Sequence, residues 1–141
     1  MKNSILVNWV LRIAVAGEFF GHGMLAIGGK KDWIGWFAKF GVTDATLAAQ
    51  LLLVLGIMDV ALAILILVKP VRAALLWMAF WGFWTALMRP IVADFAFISW
   101  YDFIERWANW GAPLALLLMI GWPKSMKEWF CDSKEDGAPP A

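Results

Sequence analysis

The chain has 141 residues, of which 62% are hydrophobic and 16% are charged, and its formal net charge is +1. A soluble domain carries about a quarter charged residues, so this composition excludes a soluble globule and predicts an integral membrane protein with the lipid bilayer as its first partner. The near-zero charge excludes a basic nucleic-acid-binding surface. One cysteine, Cys131, excludes a disulfide framework and any site built from paired cysteines.

Four stretches approach the roughly 20 apolar residues that a bilayer-spanning helix needs. They cover about residues 4–27, 47–68, 71–89 and 103–122. The sequence lacks the alternation of a strand, so we expect an all-α protein, a four-span antiparallel transmembrane helix bundle. Residues 1–123 form its single membrane domain, and residues 124–141 form a polar cytoplasmic tail.

The loop between the first two spans predicts a short amphipathic helix that lies in the lipid headgroup region. Asp32 is suited to cap its N-terminus. Trp33, Trp36, Phe37 and Phe40 fall on one apolar face at helical spacing.

The bundle has two ends, which we name by their connections. The loop side holds residues 28–46 and 90–102, and the terminal side holds both chain ends and the turn at 69–71. With Arg72 counted on the terminal side and Arg89 and Arg106 on the loop side, six lysines and arginines against five favour cytoplasmic termini. The expected location is a bacterial inner membrane.

Six polar residues from three spans are predicted to meet in the loop-side half of the bundle. Helices rise about 1.5 Å per residue, so the ends of spans one and three and the start of span four lie at one depth. Buried polar groups must bind one another, water or a ligand. The six residues are Glu18, His22, Arg89, Glu105, Arg106 and Asn109.

Two further features concern polar groups within the spans. Pro113 cannot donate a hydrogen bond to the carbonyl of Asn109, which leaves a free polar group in span four. Arg12 and Asp59 lie within about one helical turn in depth, which predicts a buried ion pair. Membership of Asp59 in the loop-side cluster is the alternative.

A metal site is a weaker hypothesis for part of the cluster. Glu18, His22 and Glu105 would supply two carboxylates and one imidazole. A purely structural polar core is the alternative.

Two helix faces are candidate contact surfaces. Trp77, Trp81 and Trp84 share one stripe of span three, which can pack against lipid, stack on a quinone-like ring or contact a neighbouring subunit. Gly17 and Gly21 form a GxxxG spacing that permits close helix packing.

The first span, from Leu11-Arg12-Ile13 to Gly21-His22-Gly23, resembles the first helix of DoxX-like small integral membrane proteins. The acidic residue in a leucine-rich second span and the aromatic first loop are also similar, over about residues 5–121. The resemblance implies a four-helix bundle, and some members of the family are subunits of quinone-linked oxidoreductases or partners of redox-defence enzymes. Arg12, His22 and Asp59 match the family's polar positions.

Two functional hypotheses follow. The first is an accessory, non-catalytic membrane subunit that docks on a larger respiratory or redox complex and is not an enzyme on its own. The second is a quinone-linked oxidoreductase subunit with a polar site at the loop-side interface. Quinone is the candidate cofactor, and other membrane subunits or copies of this chain are the candidate partners.

Overall fold

The computed structural model describes residues 2–130, and side chains from Ser4 onward. These residues are helical, with no strand between 2 and 130, as predicted. The α-helices are α1 (Lys2–Ile27), α2 (Lys31–Trp36), α3 (Ala45–Val68), α4 (Arg72–Val92), α5 (Ser99–Ile104) and α6 (Trp107–Ile120). Short 3₁₀ helices cover Phe37–Phe40 and Lys127–Trp129. Cys131 and the remainder of the predicted polar tail lie outside the described residues.

Three helices are long and apolar enough to cross a membrane, over Ser4–Ile27, Ala45–Val68 and Arg72–Val92. They indicate an integral membrane protein. The region predicted as a fourth span, residues 103–122, holds the last two residues of α5 and all of α6 instead of one continuous helix. The two helices are separated at Glu105 and Arg106, and α6 has 14 residues.

Capping residues define where two of the helices begin. The Asp44 carboxylate accepts hydrogen bonds from the backbone N–H groups of Thr46 at 2.7 Å and Leu47 at 2.9 Å, which fixes the start of α3. The helix α2 begins at Lys31, and Lys30 occupies its N-cap position without a side-chain hydrogen bond. The expectation that Asp32 caps this helix is wrong, because Asp32 already lies within the first turn.

Glycines set the distance between paired helices. The helix α1 packs chiefly against α3, and α4 packs chiefly against α6. A Cβ atom on Gly23 would lie 2.8 Å from the carbonyl oxygen of Gly56, and a Cβ atom on Gly56 would lie 2.8 Å from that of Gly23. Apart from the chain neighbours and the backbone of α1 itself, no described atom lies within 4 Å of a Cβ atom built on Gly17 or Gly21. Close packing therefore occurs at Gly23, two residues beyond the predicted pair.

Arg12 is buried in α1 and binds the end of α3. Its Nε donates to the carbonyl of Ile66 at 2.9 Å, and its Nη2 donates to the carbonyl of Leu67. Asp59 lies about two turns earlier in α3, and its carboxyl group lies beside the Trp81 side chain. These contacts correct the predicted Arg12–Asp59 ion pair: the arginine instead stabilises unpaired carbonyls at a helix C-terminus.

Arg72 has the equivalent role at the end of α6. It is buried at the first turn of α4, and its Nε donates to the carbonyl of Gly121 at 3.1 Å. Its Nη1 donates to the carbonyl of Glu128, also at 3.1 Å. On the terminal side, Arg12 and Arg72 therefore each donate hydrogen bonds to backbone carbonyls of another segment. These carbonyls lie at the end of a helix or just after it.

The glycine contact between α1 and α3 can be tested by adding one methyl group. We expect Gly23→Ala to destabilise the protein, because the new Cβ would overlap the Gly56 carbonyl and Val60, whose Cγ2 lies 2.8 Å away. The cost should be about 1–3 kcal/mol. The matched variant Gly21→Ala adds the same methyl group where no described atom is close, so it should preserve or slightly raise stability. The midpoint of thermal unfolding in detergent measures both, and equal midpoints would contradict the described packing.

Candidate functional site

A cavity of about 260 Å³ lies in the loop-side half of the bundle. Residues of α1, α3, α4 and the start of α6 form its walls. The first loop also contributes residues, from α2 and the following 3₁₀ helix. Seven Trp and Phe residues line it, namely Phe19, Trp33, Trp36, Phe37, Phe40, Trp81 and Trp84. The ionisable and amide residues that line it are Glu18, His22, Asp59, Arg89, Arg106 and Asn109.

The structure brings together five of the six residues of the predicted polar cluster. Glu105 is the exception: its side chain is 62% exposed and pairs with that of its neighbour Arg106. The prediction placed Glu105 and Asn109 in one continuous span, but residues 105–106 lie outside the α-helices. Asp59 joins the cluster instead, which was the alternative to its pairing with Arg12.

This rearrangement also removes the candidate metal site. The structure describes no group of three or more His, Cys, Asp or Glu residues that could hold a metal ion. Glu18 and His22 line the cavity, but Glu105 does not. The three proposed ligands are therefore not assembled.

The first-loop segment covers the cavity through aromatic contacts at its rim. Trp33 stacks on the His22 ring, with centroids 5.7 Å apart and planes 11° from parallel. The Arg89 guanidinium lies 4.8 Å from the centre of the Trp36 ring, a cation–π contact. None of the residues in α2 or the following 3₁₀ helix is buried. The segment therefore forms a thin cover over the cavity.

The other end of this cover is attached to the end of α4. The Lys39 Nζ lies 2.6 Å from the Asp94 Oδ1 in a solvent-exposed ion pair. Phe40 packs against Trp84, with ring centroids 6.4 Å apart. Asp94 and the next residue, Phe95, adopt positive φ angles of 50° and 60°, so the chain turns sharply where it meets Lys39.

His22 has a defined arrangement of its two ring nitrogens. Its Nδ1 lies 3.1 Å from the backbone carbonyl oxygen of Glu18. A carbonyl oxygen can only accept a hydrogen bond, so Nδ1 carries the hydrogen. In the neutral ring, Nε2 is then a hydrogen-bond acceptor.

Three polar atoms of cavity-lining residues are buried without a hydrogen-bond partner in the described chain: Trp33 Nε1, Asp59 Oδ1 and Arg89 Nε. Asp59 as a whole is only 7% exposed. Buried polar atoms are nearly always paired, because an unpaired one costs about 1–3 kcal/mol. The residues that line the cavity therefore carry two donors and a carboxyl oxygen whose hydrogen-bonding capacity is unused within the described chain.

The predicted tryptophan stripe divides between two environments. Trp81 and Trp84 line the cavity. Trp77 stacks on Trp81, with centroids 6.0 Å apart, but is 42% exposed on the outer face of α4. Two of the three rings are thus available to a ligand in the cavity.

Sequence reasoning missed two contributors to this site. Gly82 brings α4 against α6: a Cβ atom there would lie 2.5 Å from the carbonyl oxygen of Asn109. The available signal was a glycine beside bulky aromatics, together with the carbonyl that Pro113 leaves free. The aromatic first loop was assigned to the lipid interface, and its role as a cavity wall has no sequence signal beyond its location on the loop side.

The burial of Asp59 predicts a gain in stability when its charge is removed. We expect Asp59→Asn to stabilise the protein by about 1–3 kcal/mol. The amide keeps the shape of the carboxyl group beside Trp81 and removes the cost of a negative charge in a buried position. Glu105→Gln is the control, because the exposed Glu105 should tolerate the same change with little effect. Thermal unfolding in detergent measures both, and a lower midpoint for Asp59→Asn would mean that the carboxylate is stabilised in the folded protein.

No family model, no curated protein and no solved structure matches this chain. The cavity and the chemistry of its lining residues are therefore the basis of the functional assignment.

Proposed function

We propose that this chain is a small, DoxX-like membrane subunit whose loop-side cavity binds the ring of a lipid-soluble molecule, a quinone. In this proposal, residues 1–123 form one four-span antiparallel domain with α2 at the membrane interface. Both termini face the cytoplasm, and the bacterial inner membrane is the proposed location. The chain binds the ring as part of a quinone-linked oxidoreductase.

The fourth span would be built from α5 and α6 together. They have six and 14 residues, close to the roughly 20 residues needed to cross a bilayer. Leu116 and Leu117 of α6 are fully buried in the core, which supports a position inside the bundle. The interfacial position of α2 is supported by its unburied tryptophans, since amphipathic aromatic rings favour the headgroup region.

The unpartnered oxygen of Asp59 is the observation that carries the proposal. This residue is more than nine-tenths buried, lines a cavity of about 260 Å³, and faces a largely aromatic lining. Ligand pockets are typically apolar with a few convergent polar groups and have volumes of roughly 300–1,000 Å³. A cavity near the lower limit of that range suits a single ring.

The lining residues fit a quinone headgroup. The flat rings of Trp81 and Trp84 provide stacking surfaces, while Arg89 Nε and Trp33 Nε1 can donate to ring oxygens. Glu18 supplies a carboxyl group that can hold a proton in the same cavity. When bound, a quinone supplies two-electron, two-proton redox chemistry.

Binding can be tested with paired tryptophan variants of α4. We expect purified protein to bind a short-chain ubiquinone in equilibrium dialysis. Trp84→Ala should weaken that binding by about tenfold through loss of a stacking wall, an effect near 1.4 kcal/mol. Trp77→Ala removes the same side chain outside the cavity and should preserve binding. Absence of binding, together with no quinone in an organic extract of the protein, would contradict the proposal.

An accessory, non-catalytic role on a larger respiratory or redox complex is the second candidate. Its support is an exposed aromatic pair on the outer face of α4. Trp77 and Phe80 lie with ring centroids 5.7 Å apart and are 42% and 55% exposed. Aromatic residues are enriched where proteins associate, so this pair could contact a helix of another subunit.

This second role predicts a stable complex that depends on that pair. Native mass spectrometry after extraction in mild detergent should show this chain bound to other subunits in fixed stoichiometry. The double variant Trp77→Ala with Phe80→Ala should reduce the complex severalfold, whereas the control Phe97→Ala, which changes another exposed aromatic residue, should preserve it. Detection of the isolated chain or of its homo-oligomer alone would contradict an accessory role.

A further inference from the structure

We infer that the cavity binds the reduced, hydroxyl-bearing form of its ring ligand, a quinol, in preference to the quinone. This inference rests on the proposed function, because it concerns which form of that ligand the same site accepts. It follows from the hydrogen-bonding requirements of the buried groups that line the cavity.

The first requirement comes from His22. The carbonyl of Glu18 accepts a hydrogen bond from Nδ1 at 3.1 Å, so the neutral ring keeps its lone pair on Nε2. The parallel stacking of Trp33 on this ring restrains its orientation. His22 therefore offers an acceptor to a cavity ligand, and the tautomer is fixed by the backbone of its own helix.

The second requirement comes from Asp59. The Trp81 indole lies beside this carboxyl group, and Oδ1 is buried without a partner in the described residues. When the carboxyl group is ionised, this oxygen can only accept a hydrogen bond. It then adds a second acceptor to the one on His22.

Donors lie among the same lining residues. Arg89 Nε and Trp33 Nε1 each carry a hydrogen and have no partner within the described chain. Any oxygen atom on the ligand can satisfy these donors. They bind quinone and quinol oxygens alike and therefore do not discriminate between the two forms.

The two acceptors, His22 Nε2 and the Asp59 carboxylate, do discriminate between quinone and quinol. A quinone presents only carbonyl acceptors, so it cannot donate a hydrogen bond to His22 Nε2. Each hydroxyl group of a quinol can donate to an acceptor while its oxygen accepts from a donor. A site built to bind a hydroxyl group rejects an analogue that lacks the hydrogen, because its own polar groups are then unpaired.

The test compares three ligands that share one ring: duroquinone, duroquinol and the dimethyl ether of duroquinol. The ether keeps the oxygen atoms but lacks the donated hydrogens. Anaerobic equilibrium dialysis against the full chain in detergent should give a dissociation constant for duroquinol at least about tenfold below the constants for the other two. Equal constants for quinone and quinol would overturn this inference while the proposed function stands. Failure of all three to bind would overturn the proposed function itself.

Two variants that each replace one ring-bearing side chain test which residue causes the preference for quinol. His22→Phe keeps an aromatic ring beside Trp33 but removes the acceptor, so the quinol-to-quinone affinity ratio should fall severalfold, mainly through weaker quinol binding. Trp84→Phe alters a cavity wall without changing an acceptor, and should weaken both forms equally and leave the ratio intact. If His22→Phe fails to fold, Asp59→Leu removes the second acceptor and should lower the ratio. An unchanged ratio in the folded acceptor variant would contradict the assignment.

Discussion

The structure depends on one constraint: a polar group buried in an apolar helix bundle must find a partner. On the terminal side the constraint is met within the chain, because Arg12 and Arg72 each donate to backbone carbonyls at the end of another helix. Those carbonyls lack partners within their own helices. One interaction thus satisfies both the buried guanidinium and the helix end.

On the loop side, the described chain does not supply a partner for every buried polar group. Asp59, Arg89 and Trp33 each keep a buried atom without a partner in the described chain, and all three line one cavity. Strain or unsatisfied groups of this kind are costly and are concentrated where proteins bind ligands. The contrast between the two ends is the physical reason for placing the proposed binding site on the loop side.

Close helix pairing helps to explain why an enclosed space remains there. Gly23 and Gly56 bring α1 against α3, while Gly82 brings α4 against the Asn109 carbonyl in α6. Bulky aromatic rings and charged side chains lie between the α1–α3 pair and the α4–α6 pair. They do not pack as closely as small residues do. The first-loop segment then covers the space through contacts at its edge, so access to the cavity depends on a segment with no buried residue.

The sequence by itself determined the helical class, three of the four expected apolar helices and the end of the bundle at which most of the polar cluster lies, because hydropathy and the regular rise of a helix set these directly. Five of the six predicted cluster residues consequently line the cavity. Tertiary structure decided the rest. The helix break at 105–106 excluded Glu105 from the cavity, and packing gave Arg12 carbonyl partners in place of Asp59. Packing also turned the aromatic loop into a cover. Such outcomes depend on which helix faces meet, and periodicity within one helix does not encode the orientation of its neighbours.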